Sequence, residues 1–244
     1  MIAVTVTAQH TYIHGLFWGR LAFTDRITDK LRWELLLQKR TQNIPHEKNI
    51  FGADHYYNAL LGFNYSFNKN LKLWVSPLSF FESYPFLTNP EDVDKPGVKE
   101  YRFSVRLDQE QKYRWLNFSN RYGVEYRLRD LAHDGDYKPN WRTRYQARLD
   151  KPIAGIFNKE RAFSIFAADE VSIQFGKAVR ANPNLFDQNR IFFGASYEVV
   201  KNIKASLSYL NIIQERINGK DIDVGNVVWV ILTFDNLISQ FRNR

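Results

Sequence analysis

The chain has 244 residues, 44% of them hydrophobic and 16% aromatic, with no cysteine and a formal charge of +8 at pH 7. Disulfides and thiolate chemistry are therefore excluded, and no window approaches the roughly 18 apolar residues of a spanning helix. The basic residues are spread singly opposite apolar neighbours, not gathered into the patch or stripe that nucleic acid requires, so no nucleic-acid partner is expected.

Residues 1–10 read M-I-A-V-T-V-T-A-Q-H. They are either the small-residue tail of a signal peptide, with cleavage after Ala8, or an extra first strand. Residues 11–244 are expected to form a single domain. Within it, apolar and polar residues alternate with a period of two, the spacing of a strand with one greasy and one polar face. His14–Thr24 opens the series. Leu31–Thr41 sets Leu31, Trp33, Leu35 and Leu37 against Arg32, Glu34, Gln38 and Arg40. Tyr56–Phe67 sets Tyr57, Ala59, Leu61, Phe63 and Tyr65 against Asn58, Gly62, Asn64 and Ser66. Asn68-Lys69-Asn70 is a turn by its residue types. Leu71–Phe80 carries Pro77 near its end, where ladder bonding is expected to stop.

Val98–Leu107 shows the alternation most clearly. Tyr101, Phe103, Val105 and Leu107 fall on one face, and Arg102, Ser104 and Arg106 on the other. Tyr113–Arg129 sends Val124 and Tyr126 outward and Arg121, Glu125 and Arg127 inward. Trp141–Leu149 adds Arg142, Arg144 and Arg148 to the inner side. Ala162–Phe175 supplies Glu170. Arg190 precedes Ile191–Val199, in which Ile191, Phe193 and Tyr197 point outward and Glu198 inward. Ile203–Gln214 and Val224–Phe234, with Val230 outward, complete the series.

These segments exceed the globular mode of about 5–6 residues and match the about 9–11 needed to cross a bilayer at a tilt. Short connections near 25–30, 68–70, 108–111 and 200–202 alternate with long ones at 42–54, 82–97, 130–139 and 176–188. That asymmetry, with aromatic residues near segment ends, is the pattern of an outer-membrane barrel. The expectation is an all-β, single antiparallel transmembrane barrel of about 10–12 strands, with twelve preferred because bacterial single-chain barrels use even numbers.

Three stretches carry a family resemblance: N-R-Y-G-V-E-Y-R-L-R with the following W-R-T-R-Y-Q-A-R-L; A-D-E-V-S-I-Q-F around Glu170; and F-D-Q-N-R-I-F-F-G-A-S-Y-E with the later L-S-Y-L-N. Together they resemble the Gram-negative outer-membrane barrel family known as domain of unknown function 2490. The resemblance implies an integral outer-membrane barrel and brings no catalytic residues. The ending departs from the usual terminal aromatic, since Arg242-Asn243-Arg244 follows Phe241.

Inward arginines are costly unless paired, so Arg32, Arg102, Arg106, Arg121, Arg127, Arg142, Arg144, Arg148 and Arg190 are expected to pair with Glu34, Glu100, Glu125, Glu170 and Glu198. The expected result is a narrow lumen filled by ion pairs, in a structural or accessory barrel whose long loops meet envelope partners. A small ion or solute channel is the alternative. A rim-sited hydrolase using His55 with Asp54 and Ser79 or Ser83 is a second alternative. No metal site and no cofactor are expected: the histidines lack ligand spacing, and no phosphate-loop or nucleophile motif occurs. The expected surroundings are outer-membrane lipid.

Overall fold

A computed structural model describes residues 9–153 and 162–242. The proposed leader or extra strand, at residues 1–8, lies outside the described residues, as does the connection at 154–161. Eleven strands follow in order: β1 Thr11–Arg26, β2 Leu31–Gln42, β3 Ala53–Ser66, β4 Leu71–Ser83, β5 Val98–Lys112, β6 Asn117–Asp130, β7 Lys138–Ile153, β8 Phe163–Gly176, β9 Phe186–Val200, β10 Ile203–Glu215 and β11 Ile222–Phe234. Each strand pairs with its chain neighbours, and β1 meets β11 to close a barrel.

The count corrects the expected twelve, and the direction of one pair corrects the wholly antiparallel picture. Strands joined by hairpins alternate in direction. With an odd number, the first and last run the same way and must meet in parallel. The pairing is Thr11 with Ile222 through Phe23 with Phe234, while the other ten pairs are antiparallel.

Several boundaries also move: β9 begins at Phe186 instead of Ile191, β7 extends to Lys138–Ile153, and β4 and β5 run past their expected ends. β5 runs on to Lys112, and the turn closes at Tyr113–Leu116, where the Tyr113 N–H donates to the Leu116 carbonyl at 2.9 Å; the turn expected at 108–111 is strand. The ladder with β6 continues through these residues, so the polar D-Q-E-Q run reads as a turn only by composition. Pro77 does not end β4. The ladder skips from Ser76 to Ser79, and Ser76 Oγ bonds the Leu61 carbonyl at 2.7 Å across the irregularity. A bulge thus absorbs the missing proline N–H, and pairing resumes.

The outer surface is apolar. Ile13, Leu61, Leu78, Phe103, Phe193 and Leu207 are all exposed on it. The interior is of two kinds. Leu16, Trp18, Phe166, Phe192, Leu210, Ile212 and Val227 form a buried apolar wall from β8 through β11 to β1, with Trp229 against it. Leu60, Trp74 and Phe81 form a smaller patch. A Cβ on Gly62 would sit 2.5 Å from Trp74 Nε1, so glycine is what lets the indole lie flat on β3. Gly194 answers to backbone instead of a large side chain, since its Cβ would meet the Leu207 carbonyl at 2.3 Å.

Candidate functional site in the barrel lumen

Strand alternation turns the arginines of β5 to β9 inward. Glu100 is the first hub. It accepts from Arg102 Nη2 at 2.6 Å and Arg127 Nη2 at 2.7 Å, with Arg129 Nε at 3.6 Å. Glu125 is the second, holding Arg102 Nη1 at 3.0 Å and Arg142 Nη1 at 3.7 Å, with Arg144 closer still. Glu170 takes Arg190 at 3.2 Å and Arg144 at 3.7 Å. Asp187 takes Arg142 through Nε at 2.6 Å. Both glutamate hubs are 2% exposed, so neither relies on water. Several guanidinium groups also lie on rings, Arg102 3.8 Å above Phe81 and Arg106 4.6 Å above Trp74.

Other residues of the expected network stand apart from these hubs. Arg121 and Arg106 share Asp108, at 2.7 and 2.9 Å. Arg148 binds Asp150 on its own strand at 2.7 Å and lies over Phe166. Glu34 accepts from Trp74 Nε1 at 2.8 Å. Arg32 sits at the short-turn end on Thr24 and Asn236. Glu198 caps the β9–β10 turn, accepting from the Asn202 N–H at 3.2 Å. One continuous network is thus replaced by several groups, because strand parity fixes the face but not the height along the barrel.

Tyr101, Phe103, Val124, Ile191 and Phe193 are exposed on the outer wall; Val105, Leu107, Tyr126, Tyr197 and Val230 are half-buried there. Tyr126 packs against Trp141 with ring centroids 4.8 Å apart.

The ion pairs link strands along one wall and do not reach across to β11 and β1. They leave a cavity of about 760 Å³ at the long-loop end and a second of about 320 Å³ toward the short turns. Arg20, Arg121, Gln146, Phe192 and Trp229 line both chambers and mark the pinch between them. Among the described residues, the larger lining carries eleven arginines and Lys95 against six carboxylates. The smaller cavity belongs to an otherwise filled barrel, but the larger one corrects the expectation of a lumen packed solid.

The β4–β5 loop partly covers the mouth. Gln42, fully buried, donates to the Pro85 carbonyl at 2.8 Å and accepts from the Leu87 N–H at 3.3 Å. Phe86 then enters between His14 and His55, with ring centroids at 4.6 and 4.4 Å. Farther out, Asp92 is held below the usual carboxylate range by Lys95, and the Thr88 and Asn89 N–H groups add to the effect.

The expected pairing of His55 with Asp54 does not form; the buried His–Asp contact at this end is His14 Nε2 with Asp223 Oδ1, at 2.8 Å. His55 is turned into the lumen, whereas Asp54 binds Lys39 at 3.0 Å on the outer side, as consecutive strand residues must. Ser79 bonds Ser76.

Sequence reasoning passed over Arg20 and Asp187 and gave Arg40 no partner role. The signal for Arg20 and Arg40 was present: each falls on the inner parity of its strand. Asp187 was read as loop, since D-Q-N-R lacks apolar alternation.

In the fold comparison, the chain is similar to a bacterial polysaccharide outer membrane secretin, with 12% identity, 85% of this chain covered and a TM-score of 0.50. The chain spans 64% of the length of that secretin. It is also similar to the beta domain of the Bordetella autotransporter BrkA, with 12% identity, 82% of each chain covered and a TM-score of 0.50. At such identities these likenesses establish the outer-membrane type of barrel fold and nothing finer. No curated protein matches the chain. Residues 15–223 match the family described as Protein of unknown function (DUF2490), and the chain belongs to that family.

Proposed function

We propose that this protein is an integral barrel of the Gram-negative outer membrane whose lumen draws small anions from the long-loop mouth toward the pinch at Arg20 and Arg121. The observation that carries this reading is the excess of arginine over carboxylate around the larger cavity. A cleft lined by one sign of charge between low-dielectric walls concentrates the opposite ion. The apolar outer wall supports the lipid setting, and asymmetric loop lengths orient the mouth outward. The long loops are also the surface through which other envelope proteins would meet the barrel.

The pinch favours a second reading, a closed barrel with a structural or accessory role. One experiment separates the two. In planar bilayers with a potassium chloride gradient, the pore reading expects small conductance with a reversal potential of anion sign. It also expects that sign to weaken or invert in Arg121→Glu. Cation selectivity would overturn the pore reading, and a lack of conductance would leave the closed barrel.

A further inference from the structure

One part of the lumen has two arginines with no carboxylate in direct contact, the carboxylate that acts on Arg20 from farther off being Glu34. Arg20 and Arg40 both donate to the same neutral acceptor, Gln38 Oε1, each at 3.3 Å. Among the described residues, neither has a carboxylate within ion-pair distance. Arg40 is 8% exposed and is sandwiched by aromatic rings, 3.7 Å from the Trp18 centroid and 4.0 Å from that of Tyr56. Its charged neighbours are further arginines: Arg190, Arg20 and Arg102. Arg190 lies 5.3 Å over the same Trp18 ring.

The unpartnered buried groups there are mostly donors, the exception nearest to them being Asn58 Oδ1, opposite Gln38 on β3. Trp18 Nε1, Gln38 Nε2, Arg40 Nε, Gln188 Nε2, Arg190 Nε and Trp229 Nε1 are all buried and without an acceptor among the described residues. All six are N–H donors. The two amides are oriented by their oxygens: Gln38 Oε1 accepts from Arg20 and Arg40, and Gln188 Oε1 accepts from Arg190 at 3.1 Å. Register brings the donors together, because Trp18 faces Arg40 on β2 and Trp229 on β11. Buried donors cost free energy unless an acceptor meets them. Two cations without an ion-pair partner and a cluster of unmet donors call for an acceptor that is itself negative. Beside them stands the apolar wall of Leu16, Phe192, Leu210 and Val227.

We propose that the lumen between Arg40, Arg20 and Arg190 is a binding site for a small organic monoanion, a carboxylate or sulfonate on an aromatic or short aliphatic body. The charged head meets the arginines and glutamine amides, and the body lies against Trp229, Phe192 and Leu210, which line the cavity. The cavity, about 760 Å³, is within the usual range for small-molecule sites. The proposal deepens the anion-attracting reading and rests on its claim that solutes reach the lumen from the mouth.

Benzoate is the probe, titrated calorimetrically into the full chain in vesicles. Benzyl alcohol, the same body without the charge, should bind about tenfold more weakly or worse, and Arg40→Gln and Arg20→Gln should each lower benzoate affinity by a similar factor, as loss of a hydrogen bond to a charged group implies. Lys112→Gln, at an exposed strand end, should bind as the parent does. Heat-dependent gel mobility checks folding; if Arg40→Gln fails that check, Arg20→Gln carries the test.

A parent protein that prefers benzyl alcohol, or a folded variant that binds benzoate undiminished, overturns the site. Equal affinity in phosphatidylcholine vesicles with and without phosphatidylglycerol supports a water-borne ligand. Loss of benzoate binding in phosphatidylglycerol assigns the site to a lipid headgroup and overturns the solute assignment. Calorimetry needs no ion flow: binding without conductance defeats the pore alone, and conductance without binding defeats the site alone.

Discussion

Glu100 is the residue on which most of the lumen's charge balance turns. Three arginines converge on its carboxylate, and it is 2% exposed. Removing its charge leaves buried cations without compensation, a loss of about 3–5 kcal/mol. Glu100→Gln should therefore lower the temperature at which folded gel mobility is lost. Glu198→Gln removes only a charge at a half-exposed turn, keeping an oxygen that can accept from the Asn202 N–H, and should cost under about 1 kcal/mol. Equal melting of the two variants would refute the hub assignment.

Asp92 gives a pH-dependent counterpart in the β4–β5 loop. Its folded pKa lies below the ordinary one, chiefly because of Lys95. Its contribution is therefore present above the ordinary carboxylate range and lost as pH falls through the folded value. Pepsin should cut the 84–97 loop slowly near about pH 4 and faster near about pH 2, while Asp92→Asn should be cut readily at both.

Elements in this molecule are defined by two different faces. On the outer face of β5 and β9, Phe103 and Phe193 are exposed, and arginine there should cost about 2–4 kcal/mol near the bilayer midplane. Refolding Phe103→Arg into vesicles should show that loss in its denaturant midpoint. A midpoint equal to the parent's would place Phe103 outside the lipid belt. On the inner face the same strands hold arginine beside aromatic rings. Stacking keeps the guanidinium groups pressed to the wall instead of spanning the lumen. The bulge at Ser76–Ser79 shows the same economy in the backbone, where a proline inside β4 is bypassed without ending it.

At the scale of the whole barrel, the β1–β11 seam is the feature with the sharpest test. Parallel pairing sets Phe23 opposite Phe234, with their rings stacked at 5.0 Å. The chain has no native cysteine, so Phe23→Cys with Phe234→Cys gives a clean crosslink. The double variant should oxidise to a species that fails to extend on heating under non-reducing conditions. Absence of that species would show that the seam is not paired in this register.

Alternation by twos determined which residues face inward along each strand, and with it the barrel class and the apolar outer wall. Tyr101, Phe103 and Val124 were legible because a two-residue period is local and survives any tertiary arrangement. The loop asymmetry was legible for the same reason: turn residues interrupt the period wherever they fall. Strand number, closure and height were decided only by the tertiary structure. Arg144 reaches Glu125 and Glu170 on the two neighbouring strands, which only register decides, whereas Arg148 pairs with Asp150 two residues along its own strand. The segregation of an apolar wall from a cationic one was equally hidden. Leu16, Trp18, Leu210 and Val227 sit on inner parity like the arginines, and only the circular order of the strands gathers them on one side. The donors around Trp18 follow from that closure, since the β1–β2 hairpin lies far in sequence from β9 and β11 and meets them only when the sheet curls on itself.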